Sequence, residues 1–166
     1  MIRKLSNKIE ELKIFIKYGA KVKVLGQVEI NANNIVWGEN IKLYSGVQLS
    51  GRGRIILGDN VAIGKDTLIL SEDSIEIMKD TIIAAQCYII DSDHGISRDK
   101  RIQEQGLLSV PITIEEDCWL GAGVKVLKGS LIQKGSVIGA GCIVNGITEQ
   151  YSINVGVPFK KIGERK

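Results

Sequence analysis

The chain contains a single histidine, His94, with carboxylates at Asp91 and Asp93 close by. An imidazole titrates near neutral pH, so it can take a proton from a weakly acidic hydroxyl and return it later in the same turnover. Either aspartate could hold the ring in one tautomer and stabilise its charged form. A lone histidine is more often a satisfied or exposed side chain, so its setting has to carry the argument. Three cysteines, Cys87, Cys118 and Cys142, are the other groups able to do chemistry. None forms a CxxC pair, which argues against a thiolate zinc site. Each follows an aliphatic residue (Ile83, Ile114, Ile138) by four positions, a slot that wants something small and buried, and buried free cysteine behaves as a small hydrophobe.

Those aliphatics belong to a longer series. From Ile114 the chain places Leu120, Val126, Ile132, Ile138 and Val144 six residues apart. Four residues after each stands a small or slim side chain: Cys118, Val124, Ser130, Ser136, Cys142, Thr148. A fixed short period marks a stacked repeat, and a six-residue period marks a parallel β-helix, with three hexapeptides to each triangular coil. Earlier triplets keep the step at Ile35, Ile41 and Val47, then Leu57, Ile63 and Ile69, then Ile77, Ile83 and Ile89. Two extra residues around Ser74–Glu76 are expected to bulge at a corner.

The repeat stops at residues 91–111, a polar, charged stretch closed by Pro111, and resumes at Ile114. A loop of this length without its own structure is uncommon in a compact domain and is usually functional. His94 lies inside it. The expected organisation is an amphipathic helix over 1–18, a β-helix over 22–150 with loop 91–111 inserted, and a C-terminal cap over 151–166. The helix places Ile2, Leu5, Ile9, Leu12 and Ile16 on one face. That face is expected to pack on the β-helix or on a neighbouring subunit. Docking on an anionic membrane through Arg3, Lys4, Lys8, Lys13 and Lys17 is the alternative.

Composition narrows the classes. The chain has 166 residues, a net charge of +3, 19 glycines and only 2 prolines. One domain with many turns fits these figures. Aromatic residues are few, and no basic stripe interleaves them, so nucleic acid is not an expected partner. No apolar run reaches the roughly 20 residues of a membrane span. Lys8, Glu10, Glu11 and Lys13 interrupt any signal-peptide core, and the expectation is a cytoplasmic protein.

The segment from Ile77 to Ile162 resembles the hexapeptide-repeat O-acetyltransferases, the group containing galactoside, maltose and polysaccharide acetyltransferases. The resemblance rests on Asp93-His94, Pro111-Ile112-Thr113-Ile114, Asp117-Cys118-Trp119-Leu120-Gly121-Ala122-Gly123, Gly129, Val137-Ile138-Gly139-Ala140-Gly141 and Gly156-Val157-Pro158-Phe159-Lys160. It implies an all-β fold, a left-handed parallel β-helix with a short N-terminal helix. It also implies a homotrimer with active sites between subunits. Acetyl-CoA would be the co-substrate and a saccharide or other small molecule the acceptor.

By the same resemblance His94 is the general base of direct transfer, without an acyl-enzyme. Trp119 walls the acceptor or thioester site, with subunit packing as its structural alternative. Gly121, Ala122, Gly139 and Ala140 form a smooth edge for the pantetheine arm. Lys160, helped by Lys161, meets the coenzyme phosphates. Where the family commonly reads V-T-K-D, this chain reads Val144-Asn145-Gly146-Ile147. Asn145 keeps a hydrogen-bonding group there, and one lysine contact is absent. Asp93 and Glu72 are the remaining acceptor-side candidates. The family's fold also hosts a zinc carbonic anhydrase that needs three histidines, which this chain cannot supply, and no metal is expected. N-acetylation of an amino sugar or small amine is the alternative activity. A non-catalytic scaffold is the third reading, and the polar histidine loop argues against it.

Overall fold

The computed structural model describes residues 2–166, with side chains from Lys4 onward, so the expected helix positions Ile2 and Arg3 lie outside the described side chains. The chain winds into a left-handed prism of three flat parallel sheets. Face A stacks Lys23–Leu25, Lys42–Tyr44, Ala62–Ile63, Ile82–Ile83, Trp119–Leu120, Val137–Ile138 and Ser152–Val155. Face B stacks Glu29–Ile30, Gln48–Ser50, Leu68–Leu70, Tyr88–Ile90, Lys125–Val126 and Ile143–Val144. Face C stacks Asn34–Trp37, Arg54–Leu57, Ser74–Ile77, Ile112–Ile114 and Leu131–Ile132. Left-handed crossovers between parallel strands are rare, and this fold is an exception to the usual hand.

Each hexapeptide sends two side chains inward. The leading aliphatics Ile63, Ile69, Ile77, Ile83, Ile89, Ile114, Leu120, Val126, Ile132, Ile138 and Val144 are all buried. So are the second-slot residues Cys87, Cys118, Val124, Ser130, Ser136, Cys142 and Thr148. A hydroxyl in that slot must find a partner, and Ser136 and Thr148 find each other at 2.9 Å. Burial of each large aliphatic side chain stabilises the prism by about 1.5–3 kcal/mol.

The first coil differs from the sequence expectation. Trp37, Leu43 and Leu49 stand opposite Leu57, Ile63 and Ile69, so they lead it. Ile41 and Val47 fill second slots, and Ile35 stands opposite Ile55. Aliphatics in both slots create two six-residue registers, and periodicity cannot choose between them. The extra residues are also displaced. Ser74–Glu76 lie within a face C strand, and the additional length falls at residues 51–53 and 71–73, on the edge between faces B and C. Coils there repeat every 20 residues (Leu43, Ile63, Ile83), against 18 from Leu120 to Ile138.

Helix α1 (Ile2–Tyr18) closes the N-terminal end. Ile14 enters the core, the Val24 amide donates to Glu11 at 3.1 Å, and the Tyr18 hydroxyl donates to the Ala32 carbonyl at 2.6 Å. The expected apolar face does not pack on the prism. Leu5, Ile9, Leu12 and Ile16 point away from it, because the residues that anchor the helix lie on the opposite side. At the other end the tail first adds a parallel strand to face A. It then turns back as Lys160–Glu164, antiparallel to Ser152–Val155.

Candidate active site

Loop 91–111 leaves the prism at the edge between faces B and C, the edge that carries the other length variation. It has structure of its own, contrary to the sequence reading. Ser92–His94 pairs antiparallel with Leu107–Ser109, placing His94 opposite Leu107. A short 3-10 turn covers Ile102–Glu104. The Gln105 side chain ties the tip together. It accepts from the Ser97 amide at 2.8 Å and donates to the carbonyls of Ser97 and Lys100, each at 3.0 Å. Periodicity could not reveal this hairpin, because its strands are three residues long and every residue but Ser92 is exposed.

Asp91 anchors the loop base. It is fully buried and accepts from the Ser71 hydroxyl at 2.9 Å and from the amides of Glu72 and Asp73 at 2.7 and 3.0 Å. Three donors converge on one buried carboxylate, so its charge is compensated. These bonds occupy Asp91 on the preceding coil, and it does not orient the imidazole. Asp93 is exposed and pairs with the Lys128 ammonium at 3.2 Å. Neither aspartate therefore holds His94, and the ring is exposed.

Lys128 was not picked out by the sequence reading. It occupies the same edge one coil on, and its ammonium also donates to the Leu108 carbonyl at 3.4 Å. Its phase, at a corner directly after a face B strand, was the available signal. Glu72 lies on this edge one coil before the loop, paired with Arg52 at 2.7 Å. Asn145 lies on it one coil past Lys128, exposed. His94, Asp93, Glu72, Asn145 and Lys128 therefore share the edge between faces B and C.

The second group gathers on the edge between faces A and B. Gly121 stacks on Gly139 and Ala122 on Ala140, because Leu120 stands opposite Ile138. The approach is close: a Cβ on Gly121 would lie 2.6 Å from the Ala140 nitrogen. No larger residue fits, and the edge stays smooth. Among the described residues the amides of Ala122 and Ala140 donate no hydrogen bond. Lys160 stands opposite Val155, next in the same column below Gly139, and has no ionic partner among the described residues. Lys161 differs, since its ammonium is held by Glu149 and Glu164, each at 2.6 Å. Trp119 projects outward from face A beside Ile82, two residues before the glycine edge.

One chain thus carries two separate sets, on two edges with face B between them. The cysteines belong to neither. Burial pushes the Cys118 thiol up to about 11 and raises Cys87 and Cys142 as well, so all three are protonated thiols at neutral pH. Among the described residues no cluster of three or more His, Cys, Asp or Glu side chains could hold a metal ion. Nor is any helix long and apolar enough to cross a membrane.

The bacterial transferase hexapeptide (six repeats) model matches residues 111–146. A probable acetyltransferase of Mycobacterium tuberculosis is 37% identical over 115 residues, covering 69% of this chain and 38% of the relative. The Escherichia coli protein WbbJ, provisionally named a lipopolysaccharide biosynthesis O-acetyl transferase, is 35% identical over 146 residues. That match covers 80% of this chain and 72% of WbbJ. This chain therefore spans well under half of the first relative and most of the second. Among solved structures, a mutant of AntD is described as an N-acyltransferase from Bacillus cereus in complex with dTDP-4-amino-4,6-dideoxyglucose and coenzyme A. It superposes with a TM-score of 0.81 at 23% identity, covering 95% of this chain and 89% of AntD.

Proposed function

Because this chain belongs to the hexapeptide-repeat acetyltransferases, we propose that it moves an acetyl group from acetyl-CoA to a hydroxyl of a saccharide. One observation carries the reading. The only histidine stands exposed on a hairpin at one edge of the prism, and a smooth edge ending in Lys160, which has no ionic partner among the described residues, stands at the next. The name of WbbJ, the relative matched over most of this chain, favours a saccharide hydroxyl.

Acetyl-CoA is here a substrate, and the glycine edge fits it. A thin pantetheine arm needs an unobstructed path, and the stack of Gly121, Ala122, Gly139 and Ala140 provides one. The unpaired amides of Ala122 and Ala140 are placed to bond its carbonyls. Lys160 supplies a cation for the phosphates. Lys161, tied between two carboxylates, is assigned to stability rather than to the coenzyme.

His94 takes the proton of the attacking hydroxyl as its oxygen bonds to the thioester carbonyl carbon. The carbon–sulfur bond then breaks, and the proton passes to the departing sulfur. Transfer is direct, as the family resemblance implies, and the buried, protonated cysteines offer no competing nucleophile. Backbone amides stabilise the developing oxyanion. Asp93, paired with Lys128, and Glu72, paired with Arg52, frame the acceptor side.

The two edges of one chain are held apart, so the complete site joins the His94 edge of one subunit to the glycine edge of another. A homotrimer, the assembly the family resemblance implies, would bring these two edges together. Trp119, half exposed on face A, then walls the shared cleft. Cytoplasmic placement, where acetyl-CoA is available, is part of the same proposal.

The test follows free thiol release from acetyl-CoA across a panel of sugars and amines, in wild type and His94→Ala. Acceptor-dependent release that falls at least about a hundredfold in the variant is expected. A better rate with amines would reassign the acceptor to nitrogen. Neither turnover nor acetyl-CoA binding would sink the reading in favour of a scaffold.

A further inference from the structure

We infer that helix α1 docks the protein on an anionic phospholipid surface, lying in the plane of the interface with its outward face buried among the lipids. The inference rests on the helix and its charge, not on the acetyl-transfer reading.

The helix has two opposed faces with different fates. Glu11, Ile14 and Tyr18 recur at helical spacing and fix it to the end of the prism, with Ile14 only 3% exposed. Leu5, Ile9, Leu12 and Ile16 recur on the far side at 65%, 48%, 56% and 74% exposure, with Phe15 beside them at 47%. Four large aliphatics and an aromatic residue in one exposed stripe are costly in water and mark an interaction surface. The anchors keep the helix from rolling this stripe inward.

The border of the stripe points to what covers it. At 100° per residue, Lys13 and Lys17 flank it on one side and Lys8 and Lys4 on the other. An apolar stripe bordered by lysines on both sides suits a layer with anionic headgroups above acyl chains. The lysines that reach back to Glu10 and Glu11 do so through exposed pairs that hold them weakly.

Charge is also segregated along the chain. Residues 1–23 carry seven basic and two acidic side chains, whereas the remainder carries fifteen basic and seventeen acidic. The net positive charge therefore resides wholly at the helix end of the molecule. Lys21, Lys23 and Lys42 extend it onto the first strands of the prism.

A second copy is the rival occupant, and charge disfavours it. The stripe reads as heptad positions a and d, which places Lys8 at g and Lys13 at e. Parallel helices, as a cyclic assembly would present them, bring Lys8 of one copy against Lys13 of the next, a like-charge contact.

Flotation of the whole protein with vesicles of phosphatidylcholine alone, and of phosphatidylcholine mixed with phosphatidylglycerol, tests this. Binding is expected only to the anionic vesicles and should weaken as salt rises. Leu12→Glu and Ile16→Glu, both on the exposed stripe, should each lower vesicle binding by about tenfold or more, with unchanged circular dichroism and sedimentation velocity. Lys4→Gln combined with Lys13→Gln should reduce the preference for phosphatidylglycerol. Absence of wild-type binding, or binding indifferent to the Leu12 and Ile16 substitutions, overturns the inference. A fall in oligomeric mass in either variant also overturns it and assigns the stripe to a neighbouring copy.

Discussion

The coils after Pro111 and the loop before it are built on opposite principles. In the coils every residue's surroundings follow from its phase. Leu120 sits on Ile138, Gly121 on Gly139, and the inward slots alternate large and small. In the loop no phase survives. His94 is positioned by a three-residue hairpin, a glutamine clasp at its tip and a buried aspartate at its base. The coils spend their side chains on the core and offer a smooth edge. The loop buries few side chains and offers functional groups. A β-helix thus divides packing from chemistry by edge: one edge stays smooth and another absorbs the insertions.

Substitutions should separate loop from coil, and His94 should show the greatest change. His94→Ala should cut turnover by about 10²–10⁴-fold while leaving the thermal midpoint unchanged, read by thiol release and by calorimetry. The converse change is Ile138→Ala, which removes a fully buried side chain from the coil and should cost about 2–5 kcal/mol in denaturant titration. Activity per folded molecule should survive that change, and a loss there would show that coil and loop are not separable.

Asp91 is where the two regions join. Asp91→Ala takes the acceptor from the Glu72 and Asp73 amides, whereas the Ser71 hydroxyl keeps the Arg54 carbonyl at 3.2 Å, so the expected cost is about 1–3 kcal/mol in all. Because the loop base loosens with it, turnover should fall together with stability, unlike either preceding variant.

A subtler contrast lies in pH. Burial raises the Cys118 thiol from 9.0 to about 11, so the folded state holds this proton more tightly than the unfolded chain does. The associated stability is complete below about pH 9 and is lost as pH rises toward about 11, at up to ~1.4 kcal/mol per pH unit. Cys118→Ala should flatten that slope in denaturation measured across this window, whereas His94→Ala should not. The smallest effect separates two adjacent lysines. Lys160→Ala should raise the KM for acetyl-CoA several-fold, and Lys161→Ala should change it little while lowering the thermal midpoint only slightly.

The prism is legible from spacing along the chain. Inward slots recur every six residues, and each is filled by a side chain whose size is legible in one dimension, so the core and the stacked glycine edge followed from spacing. Where both slots held aliphatics, as at Ile41 and Leu43, spacing could not choose the register, and strand pairing did. The partners of the charged groups emerge only when the chain is folded. Asp91 turned to the preceding coil, Asp93 to Lys128, and Lys161 to Glu149 and Glu164. It also decided that the aliphatic face of α1 points outward, because Ile14, Glu11 and Tyr18 claimed the prism end. The physical reason is range. Burial in a repeat is set by neighbours at a fixed sequence distance, whereas a charge or a helix face is settled by whichever partner the folded chain brings within a few ångströms.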